Sequence, residues 1–166
     1  MDLYALNPFS GDPDRHAIWE MLVARDIEAF LACDWSMVEP DFAADRFMGI
    51  DGKASANPDD WRISFPTLES YRDSWLAGAR DFAPRAEIET ARAGVFGATE
   101  LTDIEITADR ALAHKKFNGK VAMKDGTFDI LDWQSVYTLA RIEGSWKLTG
   151  FIGYLPYRMG VSGTLS

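Results

Sequence analysis

Apolar residues recur at helical spacing through the first half of the chain and at strand spacing through the second. The series Ile18, Trp19, Leu22, Val23, Ile27, Phe30 and Leu31 steps by three and four over about four turns, which predicts an amphipathic helix. Asp12 or Asp14 supplies its cap, and Pro13 suits its first turn. Asp34 starts a short second helix through Trp35, Met37 and Val38, which stops before Pro40. Phe47 to Ile50 predicts a short strand ending at an Asp51-Gly52 turn. The polar stretch from Lys53 to Pro66, which carries Trp61, reads as a loop. Thr67-Leu68-Glu69-Ser70 then opens a third helix with a near capping box. Its stripe is Leu68, Tyr71, Trp75, Ala79 and Phe82, and Pro84 ends it.

From Glu87 to Ile106 β-branched residues alternate, interrupted by Gly94 and Gly97, and the pattern predicts strand. Ala111 to Met123 reads as another strand, turned at Lys124-Asp125-Gly126. Asp129 to Ile142 reads as a long strand, and after Glu143-Gly144-Ser145 the segment Trp146 to Leu155 pairs back on it. Helices followed by consecutive hairpins predict an α+β fold with an antiparallel sheet. The 166 residues fit a single domain with a core of about 12–157 and flexible ends near 1–8 and 158–166.

Composition narrows the function classes. Hydrophobic residues make up 47% of the chain, with ten Phe, six Trp and five Tyr, enough for a core and for the walls of a ligand cavity. The net charge of −9 disfavours a polyanionic partner such as nucleic acid, and no basic run exceeds Lys115-Lys116. Cys33 stands alone, so neither a disulfide framework nor a zinc pattern is available. No apolar stretch is long enough to span a membrane, and the first residues lack a secretory pattern, so a cytoplasmic protein is expected. The signatures of dinucleotide folds, P-loops, nucleophile elbows and H-E-x-x-H zinc sites are all missing.

Three segments carry a resemblance: Ala29-Phe30-Leu31-Ala32-Cys33-Asp34-Trp35, Phe42-Ala43-Ala44-Asp45, and Glu143-Gly144-Ser145-Trp146-Lys147-Leu148. They resemble the helix-end Asp-Trp, the lead-in to the first strand and the final hairpin of the nuclear-transport-factor-2-like superfamily. That superfamily includes SnoaL-like polyketide cyclases and ketosteroid isomerases. The resemblance covers about 15–154 and implies a cystatin-like roll, in which helices close a strongly curved sheet around a cone-shaped pocket. It also implies cofactor-independent, metal-free isomerase, cyclase or dehydratase chemistry, or plain ligand binding, and frequent homodimers. Alignment on the isomerases places Asp26 where they carry an oxyanion-hole tyrosine and Tyr137 at their partner acid. Asp51 falls within one residue of their base.

Strand alternation selects the inward residues. One face of the strand that starts at Ala111 carries Leu112, His114 and Lys116; the long strand offers Leu131, Trp133, Ser135, Tyr137 and Leu139 against Ile130, Asp132, Gln134, Val136 and Thr138. The first set is taken as inner, and a one-residue slip would replace it with Asp132 and Gln134. On the last strand Trp146, Leu148, Gly150, Ile152 and Tyr154 share a face. The candidate catalytic residues are therefore His114, Asp26, Asp51 and Tyr137, and the candidate pocket wall is Trp19, Tyr71, Trp75, Trp133 and Tyr154. His114 with Asp26 or Asp51 would move a proton, and Tyr137 or Tyr154 would donate to a developing oxyanion.

Plainer readings stand beside these. His114 could be a satisfied core or interface histidine, Asp26 the ion partner of Arg25 or another base, and Asp51-Gly52 an ordinary turn. His16 and Glu20 have metal-ligand spacing but no third ligand, and Cys33 suits packing. The competing function is a ligand-binding or assembly domain without catalysis. Its outer sheet face, with Ile130 and Val136, would then meet a second copy of the chain, unless the tail from Tyr157 or the Trp61 loop covers it.

Overall fold

The computed structural model describes residues 6–157; apart from residues 6–8, the two ends expected to be flexible lie outside these. The first helix runs without interruption through α1 (Pro13–Trp19), a π-helical stretch Glu20–Arg25, and α2 (Asp26–Ala32). Asp12 caps it by accepting from the Arg15 N–H, with Pro13 in the first turn. Its apolar stripe, Ile18, Leu22 and Ile27, packs with Leu101, Ala113 and Leu139 of the sheet. A short 3-10 turn, Trp35–Met37, follows, capped by Asp34. α3 (Leu68–Phe82) starts at a capping box in which Thr67 pairs with Ser70, so the reciprocal partner is Ser70 and not Glu69.

Six strands form one sheet in the order β2-β1-β8-β7-β4-β3. They are β1 (Met48–Asp51), β2 (Arg62–Phe65), β3 (Thr99–Thr107), β4 (Arg110–Phe117), β7 (Trp133–Ile142) and β8 (Ser145–Pro156). A separate two-stranded sheet joins β5 (Gly119–Ala122) and β6 (Phe128–Leu131). The large sheet is mixed: β1 pairs with β8 in parallel, whereas an antiparallel sheet was expected. β2 lies within the stretch read as loop and extends the sheet beyond β1. Irregular registers interrupt β1–β2, β3–β4 and β7–β8, and such bulges bend a sheet around what packs against it.

The largest correction concerns 87–106. Ile88–Ala98 is a helix, α4, and only the stretch from Thr99 is strand. Glu87 caps the helix through the N–H groups of Glu89 and Thr90, and Ala91, Val95 and Ala98 are buried at helical intervals. Gly94 suits this site, since a Cβ would lie 3.1 Å from Val121 Cγ2, a tight contact where β5 lies against the helix. The two strands read as continuous are each divided. After β4 the Asn118 N–H bonds Ala98 O, which diverts the chain along α4 into β5. Asp132 separates β6 from β7.

A candidate site in the cavity between the helices and the sheet

Between α2, α3 and the concave side of the sheet lies a cavity of about 580 Å³. Its walls are mostly apolar, including Phe30, Phe82, Phe117, Leu131, Trp133 and Phe151. The polar groups in it come from separate elements: Asp26 from α2, Tyr71 and Trp75 from α3, Lys115 from β4, Ser135 and Tyr137 from β7, and Tyr154 from β8.

Register explains why these meet. Cross-strand partners share a face of the sheet, and Lys115 stands opposite Ser135 as Ala113 stands opposite Tyr137. The inward residues of β4 are therefore Ala113, Lys115 and Phe117, while His114 pairs with Val136 on the other face. The inward set on β7 is the expected one, with Trp133, Ser135 and Tyr137 all lining the cavity. On β8 the expected alternation fails. Leu148 stands opposite Leu139, but a shift in register puts Phe151 opposite Tyr137 and turns Gly150 and Ile152 outward. Tyr154 returns to the cavity through a left-handed backbone, with φ 56°.

Lys115 is only 1% exposed, and its ammonium is held by three groups. Asp26 Oδ2 lies 3.0 Å from Nζ, the Leu22 carbonyl accepts a second hydrogen bond, and the Phe117 ring centroid is 4.9 Å away. The helix is π-helical over this stretch, and the Asp26 N–H at its end bonds the Val23 carbonyl. Asp26 Oδ1 accepts from Trp75 Nε1 at 3.3 Å, and 34% of its side chain remains exposed on the cavity side. The carboxylate is thus oriented by two donors and still open to an occupant.

Burial pushes the Tyr71 phenol well above its usual range, reinforced by Tyr137, Tyr154 and the negative charge of Asp26. Tyr137 is raised in the same way, by burial first and by Asp26 second. Both phenols stay protonated donors at neutral pH. Among the described residues the Tyr71 hydroxyl has no hydrogen-bond partner. The mouth of the cavity is formed by Gly78, Asp81 and Arg85 on one side and Phe128 to Ile130 of β6 on the other. Arg85 bridges them with two hydrogen bonds to Asp129, at 3.0 and 2.9 Å, and a third to Asp81.

Of the sequence candidates, Asp26, Tyr137, Tyr71, Trp75, Trp133 and Tyr154 share this cavity. His114 does not. Its Nε2 donates to Gln134 Oε1 at 2.5 Å on the outer face, and Gln134 in turn donates to Pro156 O. Asp51 closes a turn, accepting from the Lys53 N–H at 2.8 Å and pairing with the Lys53 ammonium. Trp19 is 5% exposed and packs in the core behind the cavity. Ile130, expected on the outer face, belongs to β6 and lines the mouth. The partner of Asp26 is Lys115, whereas Arg25 pairs with Asp41. Lys115 itself was missed; the signal was the pairing register, which the sequence does not display. No cluster of three or more potential metal ligands occurs among the described residues, and no helix among them is long and apolar enough to cross a membrane.

No family model matches the sequence, and no curated protein sequence matches it. Solved structures do resemble it. A domain of unknown function with a cystatin-like fold from Nostoc punctiforme is 12% identical, with a TM-score of 0.59 over 90% of this chain and 80% of the other. An NTF2-like protein with a cystatin-like fold from Novosphingobium aromaticivorans is 15% identical, with a TM-score of 0.54 over 90% and 85%. An NTF2-like protein of unknown function from Pseudomonas putida is 17% identical, with a TM-score of 0.54 over 89% and 90%. The chain has the α+β, cystatin-like fold of NTF2-like proteins. At these identities the likeness establishes the fold and no activity.

Proposed function

We propose that the chain binds a small, largely apolar molecule carrying one carbonyl or hydroxyl group, and that Asp26 moves a proton on it. One observation carries this reading. At the inner end of a mostly apolar cavity, away from the Arg85 cluster at the mouth, the Asp26 carboxylate is ion-paired with a fully buried lysine and still partly exposed. The Tyr71 and Tyr137 hydroxyls beside it are donors suited to oxygen that gains charge as the proton leaves. This is the chemistry of a cofactor-independent isomerase, cyclase or dehydratase.

A panel of apolar ketones and hydroxy compounds, screened by quenching of tryptophan fluorescence and then for turnover, tests it. Trp75 and Trp133 line the cavity and would report an occupant. Tyr137→Phe is expected to bind the same compounds and lose about a hundredfold in turnover, the usual cost of one oxyanion donor. Compounds that bind and come back unchanged would leave a carrier or sensor in place of the enzyme. If nothing in the panel quenches, the cavity is not a ligand site.

A second reading concerns the outer sheet face, where Leu112 is 43% exposed beside His114, Val136 and Ile152. We propose that this face meets a second copy of the chain in a two-fold dimer, which removes apolar surface from water. Light scattering tests it directly: 18.6 kDa is the mass of a monomer, and twice that supports the dimer.

A further inference from the structure

We propose that Lys115 is a nucleophile that captures a carbonyl compound as an imine, with Asp26 as its proton partner. This rests on the cavity being a ligand site and names the chemical class it takes: an apolar aldehyde or ketone.

Lys115 differs from a surface lysine in three ways. Its side chain is 1% exposed, and the residue lines the cavity. It does not project into water as lysines usually do, but points at Asp26 Oδ2, 3.0 Å away. Its charged neighbour is also the only carboxylate at that end of the cavity, since Asp81 and Asp129 are occupied at the mouth with Arg85. Shifting one proton from Nζ to Oδ2 leaves the net charge of the pair unchanged. It produces a free amine and a carboxylic acid side by side, the form in which the amine can attack.

The same pairing selects the ligand. A carboxylate or phosphate would bring a second anion against one lysine whose charge Asp26 already balances. A neutral carbonyl adds no charge and fits apolar walls such as Phe117, Trp133 and Phe151.

The step balances without an external reagent. The amine nitrogen attacks the carbonyl carbon while the Asp26 acid gives its proton to the carbonyl oxygen, forming a carbinolamine. The nitrogen lone pair then expels that oxygen as water, with the nitrogen-bound proton relayed through Asp26. The products are a protonated imine on Lys115, an Asp26 carboxylate and one water molecule. The new cation takes the place of the ammonium beside Asp26. No oxidation or reduction occurs.

The test uses the full chain with 2-naphthaldehyde as probe, sodium borohydride as trap, and peptide mass mapping. The expected result is one naphthylmethyl group per chain, on Lys115 and not on Lys53 or Lys147, whose ammonium groups lie at the surface. Lys115→Arg keeps the positive charge but cannot form an imine. It is expected to fold and to yield no adduct, with tryptophan quenching by the aldehyde read separately as the measure of binding. Asp26→Asn, whose amide cannot relay the proton, is expected to slow adduct formation on Lys115 at a given level of aldehyde binding, as read by tryptophan quenching. An adduct confined to exposed lysines, or none at all, overturns the proposal. Quenching without an adduct would leave the cavity standing as a ligand site, whereas absence of both removes that reading too.

Discussion

Lys115 and Asp26 are 89 residues apart in the chain, yet their side chains meet at 3.0 Å with the lysine almost wholly out of water. The two halves of the pair are not equivalent, and this predicts an asymmetry. Asp26→Asn leaves a buried ammonium without its countercharge, facing an amide, the Leu22 carbonyl and the Phe117 ring, at an expected cost of about 3–5 kcal/mol. Lys115→Met leaves a carboxylate that still sees the cavity and keeps its bond from Trp75, at about 1–3 kcal/mol. The double variant Lys115→Met, Asp26→Leu should be more stable than Asp26→Asn alone, because no charge is left buried. Urea titration of the three variants checks the order; equal losses in both single variants would mean that Asp26 is not open to water.

The phenols give the pH dependence. Tyr71 and Tyr137 have folded-state pKa values raised above the unfolded one, so their neutral forms belong to the folded state. Their contribution to stability is complete below the unfolded value of about 10 and is lost as pH rises above it, where only the unfolded chain releases the protons. Alkaline unfolding is expected there, and absorbance at 295 nm should show the two ionising with unfolding, not before it. Tyr137→Phe should soften the loss. A tyrosine titration completed near pH 10 with the fold intact would contradict the burial of both.

Ala108 adopts φ 52° at the exposed turn between β3 and β4, a conformation that glycine reaches without a Cβ penalty. Ala108→Gly is therefore expected to stabilise the chain by about 0.5–1 kcal/mol. For a domain of this size the melting temperature should rise by about 2–4 °C per kcal/mol, which calorimetry can read.

How much of this was legible in the sequence depends on whether a feature is local. The caps Asp12, Asp34 and Thr67 and the stripe through Leu68, Trp75 and Phe82 follow from neighbours within one or two turns, and they stand where the pattern places them. The inward face of β7 followed from alternation and from the family resemblance. Its neighbours did not, because facing depends on cross-strand register. Lys115 opposite Ser135 cannot be read from either strand alone, and taking His114 as inward followed from choosing the other parity. On β8 the register shifts before Phe151 and the left-handed Tyr154 break the period-two rule itself. In 87–98 the β-branched residues hid a helical spacing of Ala91, Val95 and Ala98, and Gly94 resembled a strand break while serving helix-to-strand packing.

The clasp at the cavity mouth is the feature with the most direct bearing on access. Arg85 sits after α3 and bonds Asp129 of β6 through both carboxylate oxygens, while the Lys124 N–H bonds the Arg85 carbonyl. The β5–β6 hairpin is paired with no strand of the large sheet and is otherwise held by Val121, fully buried against α4. Phe128 and Ile130 on it are 51% and 59% exposed while lining the mouth, surface that an occupant would cover. Breaking the clasp with Asp129→Asn should cost no more than about 1 kcal/mol of global stability, since both partners are partly solvated. Local opening should feel the whole of that loss, so amide exchange in 119–131 is expected to quicken by up to about fivefold while exchange in β7 and β8 stays unchanged. Release of any bound compound should quicken in parallel. Hydrogen exchange with mass detection measures the first effect. Unchanged exchange in the hairpin would show that Val121 and the α4 contact hold it without help from Arg85.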